Sequence, residues 1–220
     1  IKAGQYAGAY ITSLFACRSA LAAYINAQKT GKGDSIDVAM YETLWKVQAN
    51  VSIEYFRDGI IETRCGNNYP KSLCSGNFLC KDGEYVVVSS FGQTIMSNVI
   101  KFFNLENEYP KFYPVALKGT PEGERLNEIM MKYCLEHDSY EVEKAFTEAG
   151  IPASRIYNIQ TIQDNPHVQA RELFIEWEDP HFGRLKGVGL VPKFKNHPGK
   201  IWRGAPLYGM DTEDILKELG

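Results

Sequence analysis

Several things a reader looks for first are scarce in this chain. No apolar run reaches the roughly 18 residues needed to span a bilayer, so no membrane partner is expected. Basic charge is not in excess: 24 Lys and Arg stand against 27 Asp and Glu, for a formal net charge of −3. A nucleic-acid footprint needs a basic patch or stripe, and none is expected here. Cysteine is limited to Cys17, Cys65, Cys74, Cys80 and Cys134. An odd count, with one Cys inside an amphipathic helix, points to free thiols in a reducing, cytoplasmic compartment. Cys65, Cys74 and Cys80 cluster, but not with C-x2-C spacing and with no His nearby in sequence. Small apolar residues around a loop explain them better than a metal site. The start has no initiating Met, no basic n-region and no apolar h-region, so these residues are not expected to be a signal peptide and read as the middle of a longer chain.

Reactive motifs are scarce too. The histidines are His137, His167, His181 and His197, all in loop or helix-end contexts where solvated or capping roles are usual. There is no G-x-S-x-G, no P-loop, no G-x-G-x-x-G and no H-E-x-x-H. GKGD (31–34) ends a helix instead of opening one after a strand, so a helix C-cap is the better reading. No internal repeat or low-complexity tract is present.

What remains is an ordinary globular composition, 44% hydrophobic and 23% charged over 220 residues. That is enough chain for one large core or two small domains. Tyr10, Leu14, Cys17, Leu21 and Tyr24 recur at three and four residues, which predicts a helix over 7–28 closed by Gly31 and Gly33. SIDVA (35–39) is a short strand or a helix entrance with Asp37 as N-cap. A second helix is expected over 38–57, stopped by Asp58 and Gly59. Residues 63–76 carry turn chemistry. Asp82-Gly83 between apolar runs marks a hairpin. Helices are expected at 92–104, after Thr120-Pro121, and after Asp138 with Glu141 as capping-box partner. ASRIYN reads as a strand and PHVQAREL as a short helix. Residues 173–191 read as two strands around DPHFG, and a capped helix closes the chain. The loop HPGKIWRGAPLYG holds Trp202 and Tyr208, and such a loop usually packs on another body.

Three features are candidates for function. GQYAGAY (4–10) is a helix entrance of small residues, with room beside the backbone and no reactive side chain. Tyr41, Trp45 and Tyr55 lie on the second helical stretch. Aromatic faces attract quaternary ammonium groups, although helix periodicity alone also explains these positions as core. The loop 63–76 is long and rich in Gly, Asn and Ser; it is either an active-site cover or a surface excursion.

Taken as a set, KTGKGDSIDVAMYE, DNPHVQARE, VPKFKNHPGKIWRGAP and YGMDTEDILKELG resemble the marks of the class III CoA-transferases, from about residue 4 to 220. The branch they resemble acts on crotonobetainyl-CoA or γ-butyrobetainyl-CoA and carnitine. The resemblance implies an α/β fold of two interlocked chains, of which this is the C-terminal portion. Residues 1–59 would belong to a Rossmann-like large domain, 60–157 to a small α+β domain, and 158–220 to the return into the large domain. It also implies a homodimer, a CoA thioester and a small carboxylic acid as substrates, no metal and no covalently bound cofactor. In the family an Asp carboxylate attacks the acyl-CoA thioester, giving a mixed anhydride and then an aspartyl-CoA thioester.

Three departures qualify that picture. Counting back the family's 22 residues from Gly31 reaches Ala9, so a methyl group stands where the nucleophilic Asp is expected. Asp34 and Asp37 lie beyond a whole helix and are not substitutes. Formyl-CoA transferases carry a run of glycines over the formate site; here Asn67, Tyr69, Lys71 and Leu73 occupy that loop. This argues against formate or oxalate and leaves room for a larger acid, with Tyr41, Trp45, Asn67 and Tyr69 as candidate substrate contacts. Finally, the half that holds most CoA contacts in the family is not in this sequence, so no CoA-binding residue is assigned. An acyl-CoA racemase of the same superfamily, which uses Asp with His, and a non-enzymatic CoA-ester binder remain the alternatives. No His lies near residue 9 in sequence.

Overall fold

A computed structural model describes residues 6–66, 69, 71–110 and 113–220. The chain divides into two compact units, Ile1–Gly66 and Asn67–Gly220.

The first unit is helical. Helix α1 runs over Ala7–Thr30 and closes on Gly31, whose φ of 69° lets its amide return to the Ala27 carbonyl at 2.8 Å. The GKGD segment is thus a helix end. The stretch expected as one helix over 38–57 is instead two, α2 (Met40–Lys46) and α3 (Val51–Asp58). Ala49, at φ 54°, breaks the run; a left-handed residue with a Cβ cannot continue an α-helix. Asp37 is not a cap, because α2 begins after Ala39. Small residues let α1 and α2 meet. A Cβ on Gly8 would touch Met40 Sδ at 3.3 Å, and the Thr12 and Thr43 hydroxyls bond at 2.8 Å. Thr43 is buried there, yet no residue of α1 is.

The second unit has a true core. Strands β2 (Gly76–Leu79), β3 (Tyr85–Val88) and β5 (Ala153–Arg155) form an antiparallel sheet in the order β2-β3-β5. Asp82-Gly83 turns between the first two, with Gly83 at φ 81°. Alternation puts Val86 and Val88 inside and Tyr85 and Val87 outside. Helices α4 (Gln93–Phe102), α5 (Pro121–Glu136) and α6 (Ser139–Glu148) contribute to the same core at helical spacing: Met96, Val99 and Ile100; Leu126, Met130 and Cys134; Val142 and Phe146. Thr120 caps α5, its hydroxyl accepting from Gly123 N at 3.2 Å. The Glu141 carboxylate reaches back to Asp138 N at the start of α6. Two short strands, β1 (Ser72–Leu73) and β4 (Ala116–Leu117), pair, the first within the 63–76 stretch expected to carry turns.

Beyond β5 come α7 (Ile159–Ile162) and α8 (Pro166–Ala170), each opened by an Asn side chain that accepts from the first free amides. Strands β6 (Phe174–Asp179) and β7 (Gly183–Val188) make the expected hairpin, and α9 (Thr212–Leu219) ends the chain. The WRG segment packs flush on that hairpin. Gly204 N donates to the Glu178 carbonyl at 2.9 Å, and a Cβ at Gly204 would run into the Asp179 carboxylate. Arg203 grips Asp211 through two hydrogen bonds, which hold that carboxyl below its usual range, and lies 4.4 Å over the Trp202 ring.

Candidate functional site

Ala9 sits on the first turn of α1 and is exposed. No acidic side chain lies in that turn. Tyr6, which precedes the helix, is left-handed at φ 56° and makes no side-chain cap bond. The small side chains of residues 7–9 therefore form an open helix entrance with no carboxylate of its own.

The aromatic candidates on the first unit separate. Tyr41 is 65% exposed, and its hydroxyl donates to Glu42 Oε1 at 3.1 Å. That bond to a carboxylate, followed by the charge itself, pushes the phenol above its ordinary range. Trp45 instead lines a cleft of about 450 Å³ with Tyr55, Phe56, Ile61 and Glu62. The local sequence explains the cleft. The left-handed Ala49, at φ 54°, separates α3 from α2. Gly59 at φ 71° then reverses the chain after α3, with its amide on the Tyr55 carbonyl and Ile60 N on the Glu54 carbonyl. Tyr55 and Phe56 stand edge to face at 5.4 Å between ring centres. Phe56, Ile61 and Glu62 were not picked out by sequence reasoning. The signal was there, in the paired aromatics of YF and the apolar Ile60-Ile61 after a glycine stop.

Of the loop candidates, Asn67 lies outside the described residues. Tyr69 belongs to the second unit, where its ring stands edge to face with Phe91 at 5.1 Å. The backbone just before Phe91 is fixed by two buried serines. Ser90 Oγ donates to the Cys74 carbonyl at 2.6 Å, Ser90 N donates to Ser75 Oγ, and the two hydroxyls bond at 2.9 Å. Phe91 and this serine pair were not singled out from the sequence.

The cysteines are all free thiols. Burial pushes Cys74 and Cys134 up to about 12, so both are protonated, inert core residues. Among the described residues no group of His, Cys, Asp and Glu is placed to hold a metal ion. Among them too, no helix is long and apolar enough to cross a membrane.

Comparison with known proteins fixes the kinship. The whole chain is 37% identical to a bile acid CoA-transferase of Clostridium scindens, covering 52% of that protein. It is 34% identical to an L-carnitine CoA-transferase of Proteus mirabilis, covering 56% of it. The chain thus spans about half the length of the curated relatives it matches. A crystal structure of a CAIB/BAIF family protein from Brucella suis superimposes on all of the chain and 57% of its own length, with TM-score 0.72 and 20% identity. The fold is shared with that protein. The profile of CoA-transferase family III matches residues 1–212, and the chain belongs to that family.

Proposed function

We propose that the protein to which this chain belongs is built to move CoA from an acyl-CoA to a free carboxylic acid, and that Ala9 leaves it without the nucleophile for that transfer. The carrying observation is the family match across residues 1–212 combined with an exposed Ala, on the first turn of α1, at the position counted for the Asp. In the proposed chemistry a carboxylate attacks the thioester carbon and CoA leaves as thiolate. The thiolate then attacks the anhydride's other carbonyl, giving an enzyme-bound thioester and freeing the first acid. The acceptor acid repeats the sequence in reverse. A methyl group has no lone pair with which to begin, so each later step fails with the first.

The acceptor we favour is of the carnitine or betaine type. The similarity to an L-carnitine CoA-transferase supports this, as do the aromatic residues of the first unit. The similarity to a bile acid CoA-transferase makes a bulky apolar acid the rival substrate. In the whole protein, residues 1–59 and 158–220 would share a large domain around a small domain of 60–157, in an interlocked cytoplasmic homodimer. Tyr69 and Asn67 remain candidate contacts of the acid.

Ala9→Asp in the full-length protein tests the reading. The revertant is expected to transfer CoA at a rate at least a thousandfold above the parent, since the parent lacks the covalent route altogether. A revertant that folds and binds CoA but transfers to no carboxylic acid would overturn it. Proton exchange at the α-carbon of an α-methylacyl-CoA in D2O would point instead to a racemase. CoA-ester binding without either reaction would mark a non-enzymatic binder, which the natural occurrence of Ala9 would favour.

A further inference from the structure

We infer that the free edge of β2 pairs with the same strand of a second copy of the chain, joining two three-stranded sheets into one of six. The inference goes beyond the transferase reading and does not rest on it.

The hydrogen-bond pattern identifies the occupant. Cys80 N donates to the Glu84 carbonyl at 2.8 Å, so the even-numbered residues of β2 bond to β3. The odd-numbered residues of β3 face β5 instead, as the bond from Ile156 N to the Tyr85 carbonyl shows. The N–H and C=O groups of Asn77 and Leu79 therefore point away from the sheet, and among the described residues they have no partner. They border a cleft of about 300 Å³ whose other wall is Asn127, Met131 and Leu135 of α5. The buried hydroxyl of Ser72 lines the same cleft, also with no partner. No charged side chain lines it; its polar side chains are Ser72, Ser75, Asn77, Asn127 and Tyr85. An apolar ligand would take water from the peptide groups and return no hydrogen bond. An extended chain offers a donor and an acceptor at the same two-residue repeat.

The two edges of the sheet are treated differently. On β5 the outward Arg155 N–H is taken by the Glu143 carboxylate at 2.9 Å. The β2 edge reads Gly-Asn-Phe-Leu and has neither the Pro nor the Lys that guards an edge against pairing.

The second copy fits by its own symmetry. Laid antiparallel on itself about Phe78, β2 sets Asn77 opposite Leu79 of the other copy, and every outward peptide group of both residues pairs. The nearest charge along the strand, Lys81, then falls opposite Ser75, so no like charges meet. Leu79, Met131 and Leu135 line the same cleft and are 40%, 46% and 51% exposed, apolar surface that such a contact covers.

Sedimentation velocity of the full-length protein, from about 1 to 100 µM, is expected to show mass rising with concentration. Leu79→Pro removes only an outward N–H, at a kind of position where edge strands accept proline, and should weaken the association at least about tenfold. Leu79→Thr keeps the N–H and should leave it within about threefold. Circular dichroism checks that each variant is folded. Hydrogen exchange resolved by residue needs no substitution. The Asn77 and Leu79 amides should exchange at least about tenfold more slowly at the highest concentration than at the lowest, with Phe78 protected at both. Association indifferent to Leu79→Pro, or amides of Asn77 and Leu79 that exchange equally fast at both concentrations, would overturn the inference. Protection of both amides in a parent protein whose mass matches that of Leu79→Pro would mean that another part of the protein covers the edge, and would overturn it as well.

Discussion

Helices α1 and α5 are written in the same code and end in opposite conditions. On α1, Tyr10, Leu14, Leu21, Tyr24 and Ile25 mark one apolar stripe, and every one is more than half exposed. On α5, Leu126, Met130 and Cys134 repeat at four residues, and every one is fully buried. The difference lies in what each helix packs against. Helix α5 has a sheet and two further helices beside its stripe, whereas among the described residues of its own unit α1 packs on the short α2, met through Gly8 and Thr12. Periodicity tells which face of a helix needs covering. It does not tell what covers it.

The largest expected effect tests whether the α1 stripe is covered in the whole protein. Phe146 is fully buried between Phe102, at 5.1 Å and edge-on, and Tyr133, stacked at 5.5 Å. Phe146→Ala should cost about 3–5 kcal/mol, both in the 220-residue chain and in the full-length protein. Leu21→Ala should cost less than about 1 kcal/mol in the chain alone, since little area leaves water there. In the full-length protein it should cost about 2–4 kcal/mol, if the remaining half lies on the stripe. Urea unfolding of both lengths measures it. Equal, small costs for Leu21→Ala at both lengths would show that the stripe stays open, and the comparison of the two helices would then be intrinsic to the protein.

The same contrast explains what could be read in advance. In the second unit local signals placed most elements, even though β3 pairs with the distant β5 and β1 with the distant β4. Asp82-Gly83 turned where a hairpin turns, Thr120-Pro121 opened α5, and Glu141 reached back to Asp138. In the first unit the signals were right about where α1 ends and wrong about the next segment. Met40, Tyr41, Leu44, Trp45, Gln48 and Val51 continue a helical period straight through Ala49. Period alone could not show that Ala49 adopts φ 54°. Trp45 and Tyr55 were legible as candidates, but the cleft they line with Phe56, Ile61 and Glu62 was not legible while 38–57 was one helix. Strands β1 and β4 are only two residues each, too short for alternation to register. Ala9 was legible by spacing from Gly31, but only through likeness to a family. Nothing in the local chemistry of an Ala announces a missing carboxylate.

A smaller effect comes from two glycines at comparable places, each near the start of a helix. At Gly123 a Cβ would overlap the backbone carbonyl oxygen of Leu117, which cannot move without disturbing β4 and the Thr120 cap. Gly123→Ala should therefore destabilise by about 1–3 kcal/mol, despite the better helix propensity of Ala. At Gly8 the Cβ would meet side chains only, Met40 at 3.3 Å from its sulfur and Leu44 Cδ1 at 3.5 Å. Gly8→Ala should be neutral, or stabilising by up to about 1 kcal/mol. Thermal melts of the two variants decide it. If both substitutions cost the same, the tight packing that distinguishes the second unit does not extend to its helix entrances.

The smallest effect concerns a single carboxylate that ties the β2–β3 turn to α6. Asp82 Oδ2 accepts from Ser139 N at 2.9 Å and from Ser139 Oγ at 2.7 Å, while Oδ1 accepts from Glu84 N at 3.2 Å. Burial raises its pKa, but the bonds from Ser139 and from the turn amides outweigh that and hold the group below its ordinary 3.8. A carboxylate whose pKa is lower folded than unfolded gives stability that is complete above the unfolded value, and that is lost as pH falls through the folded one. The native protein should thus lose this contribution below about pH 4. Asp82→Asn keeps the acceptor oxygen and removes the charge. Screened by solvent, it should cost less than about 1 kcal/mol at pH 6, and the cost should shrink as pH falls below the ordinary carboxylate range. Urea midpoints at both pH values, for parent and variant, measure the change. A cost that stays constant with pH would mean that the bonds to Ser139 act through shape alone. The turn would then be joined to α6 by neutral contacts, as α1 is to α2 through Gly8, Met40 and the Thr12–Thr43 hydroxyl pair.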